Sequence, residues 1–169
     1  VSEENVFPDF MTGKPLTNIL LPESITRIGG QAFENCRYFE EITIPDNVRI
    51  IGNKVFRQCT KLRAINVSGS SKLQSIDKCA FQDTYSLDSV DFSQVQQLKS
   101  IGDYAFSNSL IRSISLPTSL ESIGSYAFTG ADFQSFTTTA NISSYAFEKC
   151  LALKTVTIQE GASTIGAYA

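Results

Sequence analysis

Apolar positions along this chain follow two rhythms that alternate at a regular interval. In the first, short segments read apolar-x-x-apolar-x-apolar: Phe39/Ile42/Ile44, Leu62/Ile65/Val67, Leu87/Val90/Phe92 and Leu153/Val156/Ile158. Ile111/Ile114/Leu116 and Phe133/Phe136 repeat it one residue early, and Leu16/Ile19/Leu21 supplies a first copy, so seven segments are predicted as strands. The alternation over residues 64–67 or 113–116 is the two-residue period of a strand with one buried face. Pro22, Pro45 and Pro117 stand just past such a strand, where a missing N–H harms no ladder. In the second rhythm, a pair such as Ile25/Ile28, Val48/Ile51, Leu73/Ile76, Leu98/Ile101 or Leu120/Ile123 forms another extended stretch and runs into Ile-Gly-x-x-Ala-Phe. There Ile, Ala and Phe fall at i, i+4 and i+5, on one side of a coiled backbone, which predicts a short helix or 3-10 turn.

The motif is a repeat. It reads IGGQAF from Ile28, IGNKVF from Ile51, IDKCAF from Ile76, IGDYAF from Ile101, IGSYAF from Ile123 and ISSYAF from Ile142, and IGAYA from Ile165 closes the chain. Successive Ile anchors lie 23, 25, 25, 22, 19 and 23 residues apart, inside the period of leucine-rich repeats. Working backwards, Phe10 takes the place of the first anchor Phe. One copy cannot stand alone: ordering costs about 1–2 kcal/mol per residue, against about 1.5–3 kcal/mol per large side chain buried. Stacked copies share a core. The fold predicted is therefore an α/β solenoid of the leucine-rich repeat type. It is a right-handed superhelix with a parallel sheet of one short strand per repeat and short helical or 3-10 turns on the opposite side. Residues 1–169 form a single domain of about seven repeats, incomplete at the C-terminal end, where a Phe is due after Ala169. The missing Phe is read as a cut within a longer array; the alternative is an end that pairs with another molecule.

The composite Leu-Pro-x-Ser-Leu-x-x-Ile-Gly-x-x-Ala-Phe, as LPTSLESIGSYAF over residues 116–128 and nearly as LPESITRIGGQAF over 21–33, resembles the BspA-like leucine-rich repeats. The resemblance covers essentially residues 10–169. It implies a surface-exposed or secreted protein with an adhesion-type role toward host or extracellular matrix components. The repeat consensus has no fixed binding residues, so none is carried over.

Composition narrows the chemistry. The 169 residues hold no His, which removes the commonest general base and imidazole metal sites. The polar residues recur with the repeat instead of converging, so no enzyme, cofactor or metal is predicted; an unrecognised hydrolase is the distant alternative. With 14 Lys plus Arg against 17 Asp plus Glu, the net charge is -3, which offers no cationic field for nucleic acid. No apolar run approaches the length that spans a bilayer, so no membrane insertion of this segment is expected. The partner predicted is a protein or glycan met outside the cell or at its surface; an intracellular protein scaffold is the alternative.

Two surfaces are candidates for the contact. The residue before the motif Ala or Val runs Gln31, Lys54, Cys79, Tyr104, Tyr126, Tyr145, Tyr168, a line of tyrosines on the convex side, read either as a recognition surface or as rings that pack on one another. The strands' outer positions, Glu41/Thr43, Ala64/Asn66, Ser89/Asp91, Ser113/Ser115, Ser135/Thr137 and Thr155/Thr157, are small and hydroxyl-rich. The predicted binding set is thus Tyr104, Tyr126, Tyr145, Ser89, Asp91, Ser113 and Ser115. Glu40, Arg63, Asp88 and Arg112 alternate in sign at cross-strand spacing and read as a charge ladder. Cys36, Cys59 and Cys150 share a column with Gly13, Thr84, Ser109 and Ala131 and read as small packing residues, with a Cys36–Cys59 bridge left open; Cys79 lies elsewhere. Repeat length varies in the turn between the two stretches, with insertions at residues 68–72 and 93–97 and a shortening between Phe136 and Ile142, the edge where such proteins often bind. Asn66-Val-Ser68 and Asn141-Ile-Ser143 match the N-glycosylation pattern.

Overall fold

The computed structural model describes residues 6–7 and 11–169, and the chain winds into a β-solenoid of about six turns. Its strands are β1 (Val6–Phe7), β2 (Arg27–Ile28), β3 (Glu41–Thr43), β4 (Ile50–Ile51), β5 (Ala64–Asn66), β6 (Ser75–Ile76), β7 (Ser89–Asp91), β8 (Ser100–Ile101), β9 (Ser113–Ser115), β10 (Ser122–Ile123), β11 (Ser135–Thr138), β12 (Asn141–Ile142) and β13 (Thr155–Ile158). Seven of them, β1-β2-β4-β6-β8-β10-β12, form one parallel sheet. The motif isoleucines stand opposite one another at every step: Ile28 to Ile51, Ile76, Ile101, Ile123 and Ile142.

This continuous ladder comes from the second extended stretch and not, as the sequence suggested, from the Leu-x-x-Ile-x-Ile segments. Those segments give β3, β5, β7, β9, β11 and β13, which pair in parallel only two by two, with Ile42 opposite Ile65, Val90 opposite Ile114 and Phe136 opposite Val156. The pairing lapses between the two longest copies, β5 and β7, and again before the shortest, between β9 and β11. The first predicted strand, Leu16/Ile19/Leu21, is not a strand: among the described residues no ladder joins it to β3, although all three side chains pack against the core. Phe10 lies outside the described residues.

The helical or 3-10 turns predicted for the motif are also absent among the described residues, and so is the α part of the expected class. The backbone hydrogen bonds say why. Within the turn, Ala32, Glu34 and Cys36 donate to the carbonyls of Gly29, Gln31 and Phe33, three residues back. The alternate N–H groups of Gln31, Phe33 and Asn35 donate at 2.8–3.0 Å to Asn53, Val55 and Arg57 of the next copy, so no i to i−4 ladder can form. Gln31 and Asn35 sit at φ of 63° and 61°, and the same two columns have positive φ in every copy from Gln31 to Lys149. A left-handed residue every fourth position closes tight turns and is incompatible with a helix.

Ile, Ala and Phe of the motif nevertheless face one way, as their spacing required. Ile28, Ala32 and Phe33 are fully buried, and so are their counterparts through Phe128. The anchor rings form a single file. Phe33, Phe56, Phe81, Phe106, Phe128 and Phe147 follow at centroid spacings of 5.5, 5.1, 5.1, 5.6 and 6.0 Å with interplanar angles of 15° or less. Phe39 meets Phe33 and Phe56 edge-on, and Phe133 does the same to Phe128 and Phe147, which ties the file to the second set of strands. The last turn has core on one side only, leaving Val156, Ile158 and Ile165 exposed.

Candidate interaction surface

The strand face holds four of the seven predicted site residues. On β7 and β9, Ser89 stands opposite Ser113 and Asp91 opposite Ser115, all four exposed, while Val90 between them is buried and Ile114 half-buried. The pleat is the cause, because alternate side chains of one strand point to opposite faces. The Ser93 backbone N–H donates to the Asp91 carboxylate at 2.9 Å and holds its pKa below the usual carboxylate range, so Asp91 is a fixed negative charge. Along the rim of this face Arg63 pairs with Glu40 at 2.9 Å, and Arg112 with Asp88 at 2.8 Å and Asp132 at 3.4 Å. These groups are more than half exposed, and such pairs contribute little beyond register. The ladder of alternating charge is therefore local structure.

The tyrosines lie on a different segment of the coil, in the turns after β8, β10 and β12. Tyr104, Tyr126, Tyr145 and Tyr168 stack at 4.8, 4.9 and 5.1 Å, within 15° of parallel. Their column is one of the two left-handed ones, with φ between 56° and 61°, which throws each ring outward onto the next. Both faces of Tyr126 and Tyr145 are thereby covered by neighbouring rings. Only edges and hydroxyls are left to solvent, and the Tyr126 hydroxyl is pushed up by desolvation first and by Tyr104 and Tyr145 next. Lys78 Nζ lies 5.9 Å from the Tyr104 ring centre and closes that end of the row. The rings pack on one another, and the structure does not bring them together with Ser89, Asp91, Ser113 and Ser115.

Sequence reasoning missed the clefts of this surface, two of which lie at the lapses in the strand pairing. The larger, about 590 Å³, lies between β5 and β7 and is lined by Ile65, Asn66, Val67, Ser68 and Gly69 on one side and Asp91, Gln94 and Val95 on the other, with Glu23, Thr43, Ile44 and Asp46 completing it. The smaller, about 230 Å³, lies between β9 and β11 and includes Ser115, Thr137 and Gln159. The signal was in the sequence as the variable-length turns. The inserted residues 68–72 and 93–97 flank the larger cleft, where a Cβ added to Gly69 would stand 3.5 Å from that of Gln94.

The thiols behave as packing residues. Cys36, Cys59 and Cys150 each donate S–H at 3.1 Å to a carbonyl of the preceding copy, from Met11, Phe33 and Phe128. In the same column Thr84 and Ser109, with shorter side chains, donate to Phe81 and Phe106 of their own copy. All four cysteines are free, so the Cys36–Cys59 bridge is not formed; burial pushes the Cys150 thiol up to about 11 and the Cys59 thiol higher. Among the described residues no group of three Cys, Asp or Glu side chains could hold a metal, and no helix is long and apolar enough to cross a membrane. Asn141 is occupied in holding the next turn, accepting from the N–H groups of Ser163 and Thr164.

The family model of the BspA type leucine rich repeat region, in six copies, matches residues 8–134 and 74–169. No curated protein sequence matches the chain. Among solved structures it is similar to a T. pallidum leucine rich repeat protein, with a TM-score of 0.76, 28% identity and coverage of 84% of this chain and 67% of that one. It is also similar to a leucine-rich repeat protein from Bacteroides ovatus ATCC 8483, at TM-score 0.60, 28% identity and coverage of 84% and 43%. A leucine rich cell surface protein from Faecalibacterium prausnitzii A2-165 matches at TM-score 0.55, 26% identity and coverage of 80% and 43%. The chain thus spans two thirds of the first of these proteins and less than half of the other two.

Proposed function

The chain belongs to the BspA-type leucine-rich repeat family, and from that premise we propose that it is a non-catalytic interaction module, displayed on a cell surface or secreted, that binds a protein or glycan. Leucine-rich repeats are a protein-interaction family, and one structural relative is described as a cell surface protein. The observation that carries the reading is the exposed row Ser89, Asp91, Ser113 and Ser115 with the clefts that open beside Asp91 and Ser115. The backbone under this row is held by a file of buried rings, so it presents polar groups at fixed spacing with little ordering cost on contact. The tyrosine row is assigned to packing, because its ring faces are already occupied.

The test is a binding screen of the chain against immobilised extracellular matrix proteins and a glycan array, with Ser113→Arg and Tyr126→Ala beside the wild type. Ser113→Arg places a bulky cation at the centre of the strand face and is expected to abolish capture, while Tyr126→Ala leaves it intact. Capture lost by Tyr126→Ala and kept by Ser113→Arg would transfer the contact to the tyrosine row, and a blank screen would remove the reading.

A further inference from the structure

We propose that the larger cleft seats the cationic side chains of an extended, arginine- or lysine-bearing segment of a partner protein. The inference deepens the interaction-module reading and rests on it. Three features of the cleft point the same way. Its floor is apolar, supplied by Ile65 and Val95, which suits the methylene stem of a long basic side chain. Its charged lining is of one sign: Glu23, Asp46 and Asp91 contribute carboxylates and no Lys or Arg lines it. The nearby Lys72 is turned onto Asn47 Oδ1 at 2.8 Å. Finally, its flanks are the turn lengthened in two consecutive copies, so the place where the chain departs from its own repeat is the place where the cleft exists.

The carboxylates lie on two sides of the cleft. Glu23 and Asp46 hold the same turn position in consecutive copies, one inter-strand step of about 4.8 Å apart, and Asp91 stands on β7 two copies further on, in the outer strand column of Thr43 and Asn66. An extended segment, on which alternate side chains face the same way, can therefore offer one basic side chain to Glu23 and Asp46 and another to Asp91. Asp46 accepts from the Ser68 hydroxyl and Asp91 from the Ser93 N–H, so two of the three charges are held in place before any partner arrives. A glycan would bring hydroxyls to this cleft but nothing to balance three carboxylates. A guanidinium offers each of them a charge-assisted, bidentate hydrogen bond.

The experiment is a titration of the isotope-labelled chain, followed by backbone amide shifts, with an acetylated and amidated Gly-Arg-Thr-Arg-Thr-Arg-Gly peptide. Analogues with Gln or Glu in place of Arg, and a neutral N-acetylglucosamine hexamer, are the comparison arms. The arginine peptide is expected to give saturable shifts confined to Glu23 and residues 43–46, 65–69 and 91–95. Raising the salt from 50 to 500 mM should weaken it at least fivefold, and neither analogue should saturate. Asp46→Asn with Asp91→Asn should weaken it at least tenfold. Gln94→Lys, at an exposed position that cannot unfold the coil, should do the same by supplying a competing cation. Arginine-peptide shifts elsewhere or absent, binding unchanged in Gln94→Lys, or saturation by the hexamer at these amides would overturn the proposal. Capture of a partner in the screen above that is indifferent to Gln94→Lys would sink the cleft occupant and leave the interaction module standing. A blank screen beside a saturating arginine peptide would remove the matrix and glycan partners and leave the cleft as the module's site for a basic segment.

Discussion

Replacing Phe106 with Ala tests the shared interior on which every surface described above depends. The ring is fully buried, stacked at 5.1 Å on Phe81 and 5.6 Å on Phe128, each within 7° of parallel, and tilted against Phe92 at 6.5 Å. Cutting a buried Phe back to Ala costs about 3–5 kcal/mol through lost burial and the cavity left behind. Phe106 belongs in the upper half of that range, because rings lie on both faces and the flanking copies cannot close on the gap without shifting the fixed register of Ile76, Ile101 and Ile123. For a chain of this size each kcal/mol lowers the melting temperature by about 2–4 °C, so the variant should melt roughly 8–20 °C below wild type. Phe147→Ala is the internal control. That ring has a stacked neighbour on one face only, Phe128 at 6.0 Å, and should cost about 1 kcal/mol less. Far-UV circular dichroism melts and urea titrations of the two variants read both numbers. A Phe106→Ala melt within about 2 °C of wild type, or one no lower than that of Phe147→Ala, would refute a continuous aromatic file.

Other expectations follow from single contacts. Under native conditions, iodoacetamide should label Cys150 at a rate that climbs about tenfold per pH unit through pH 9 and 10 and levels off only near 11; a plateau near 8.5 would show a thiol that burial does not perturb. Cys59 is raised further still, so its contribution to stability is complete below pH 9, where the unfolded thiol is neutral, and declines as pH rises above it; urea midpoints at pH 8 and pH 10.5 should differ in that direction, and by less in Cys59→Ala. Glu34 accepts from Arg57 at 2.8 Å and from Gln31 at 3.0 Å with its side chain 9% exposed, so Glu34→Ala should cost about 1–2 kcal/mol, whereas Arg63→Ala at an exposed pair should cost under about 0.5 kcal/mol by urea unfolding. Leu110 is 48% exposed with φ of 58°, a conformation that costs an ordinary residue about 1 kcal/mol, so Leu110→Gly should raise the melting temperature and not lower it.

The copies, their period and their inward residues were legible because burial depends on which side chains recur, and the chain states that directly in Ile28, Ala32, Phe33 and their repeats. The backbone path of the motif was not. Ile, Ala and Phe at i, i+4 and i+5 suit a helix, yet three linked tight turns with a left-handed residue at Gln31 and another at Asn35 set the same side chains on the same side. The second column holds Asn35, Asp83, Asn108 and Gly130, types that tolerate positive φ, whereas the first is mostly tyrosine and carries no such mark. That was the available signal for turns. For the candidate site, Ser89, Asp91, Ser113 and Ser115 could be placed on an exposed strand face from alternation alone. The cleft beside Asp91 could not, because it arises from a lapse in pairing between β5 and β7. Pairing of parallel strands is a relation between copies, to which no single copy's pattern is sensitive.

That lapse also shows how this fold separates stability from recognition. Each turn of the coil carries two ladders. The one through Ile28, Ile51, Ile76, Ile101, Ile123 and Ile142 is unbroken, and it is followed at once by the turns whose N–H groups bond the next copy and by the stacked rings. A length change there would move the Phe file and the hydrogen bonds together, and the motif keeps the same spacing from Ile to Phe in all six full copies. The strand ladder is in three pieces, and its segments already tolerate copies from 19 to 25 residues long, because the file behind them fixes the stack without their help. Insertions of two or three residues can therefore accumulate after these strands at small energetic cost, since lengthening a loop adds only a logarithmic entropy term. A contact surface built at that edge can change its shape and charge while the interior stays constant.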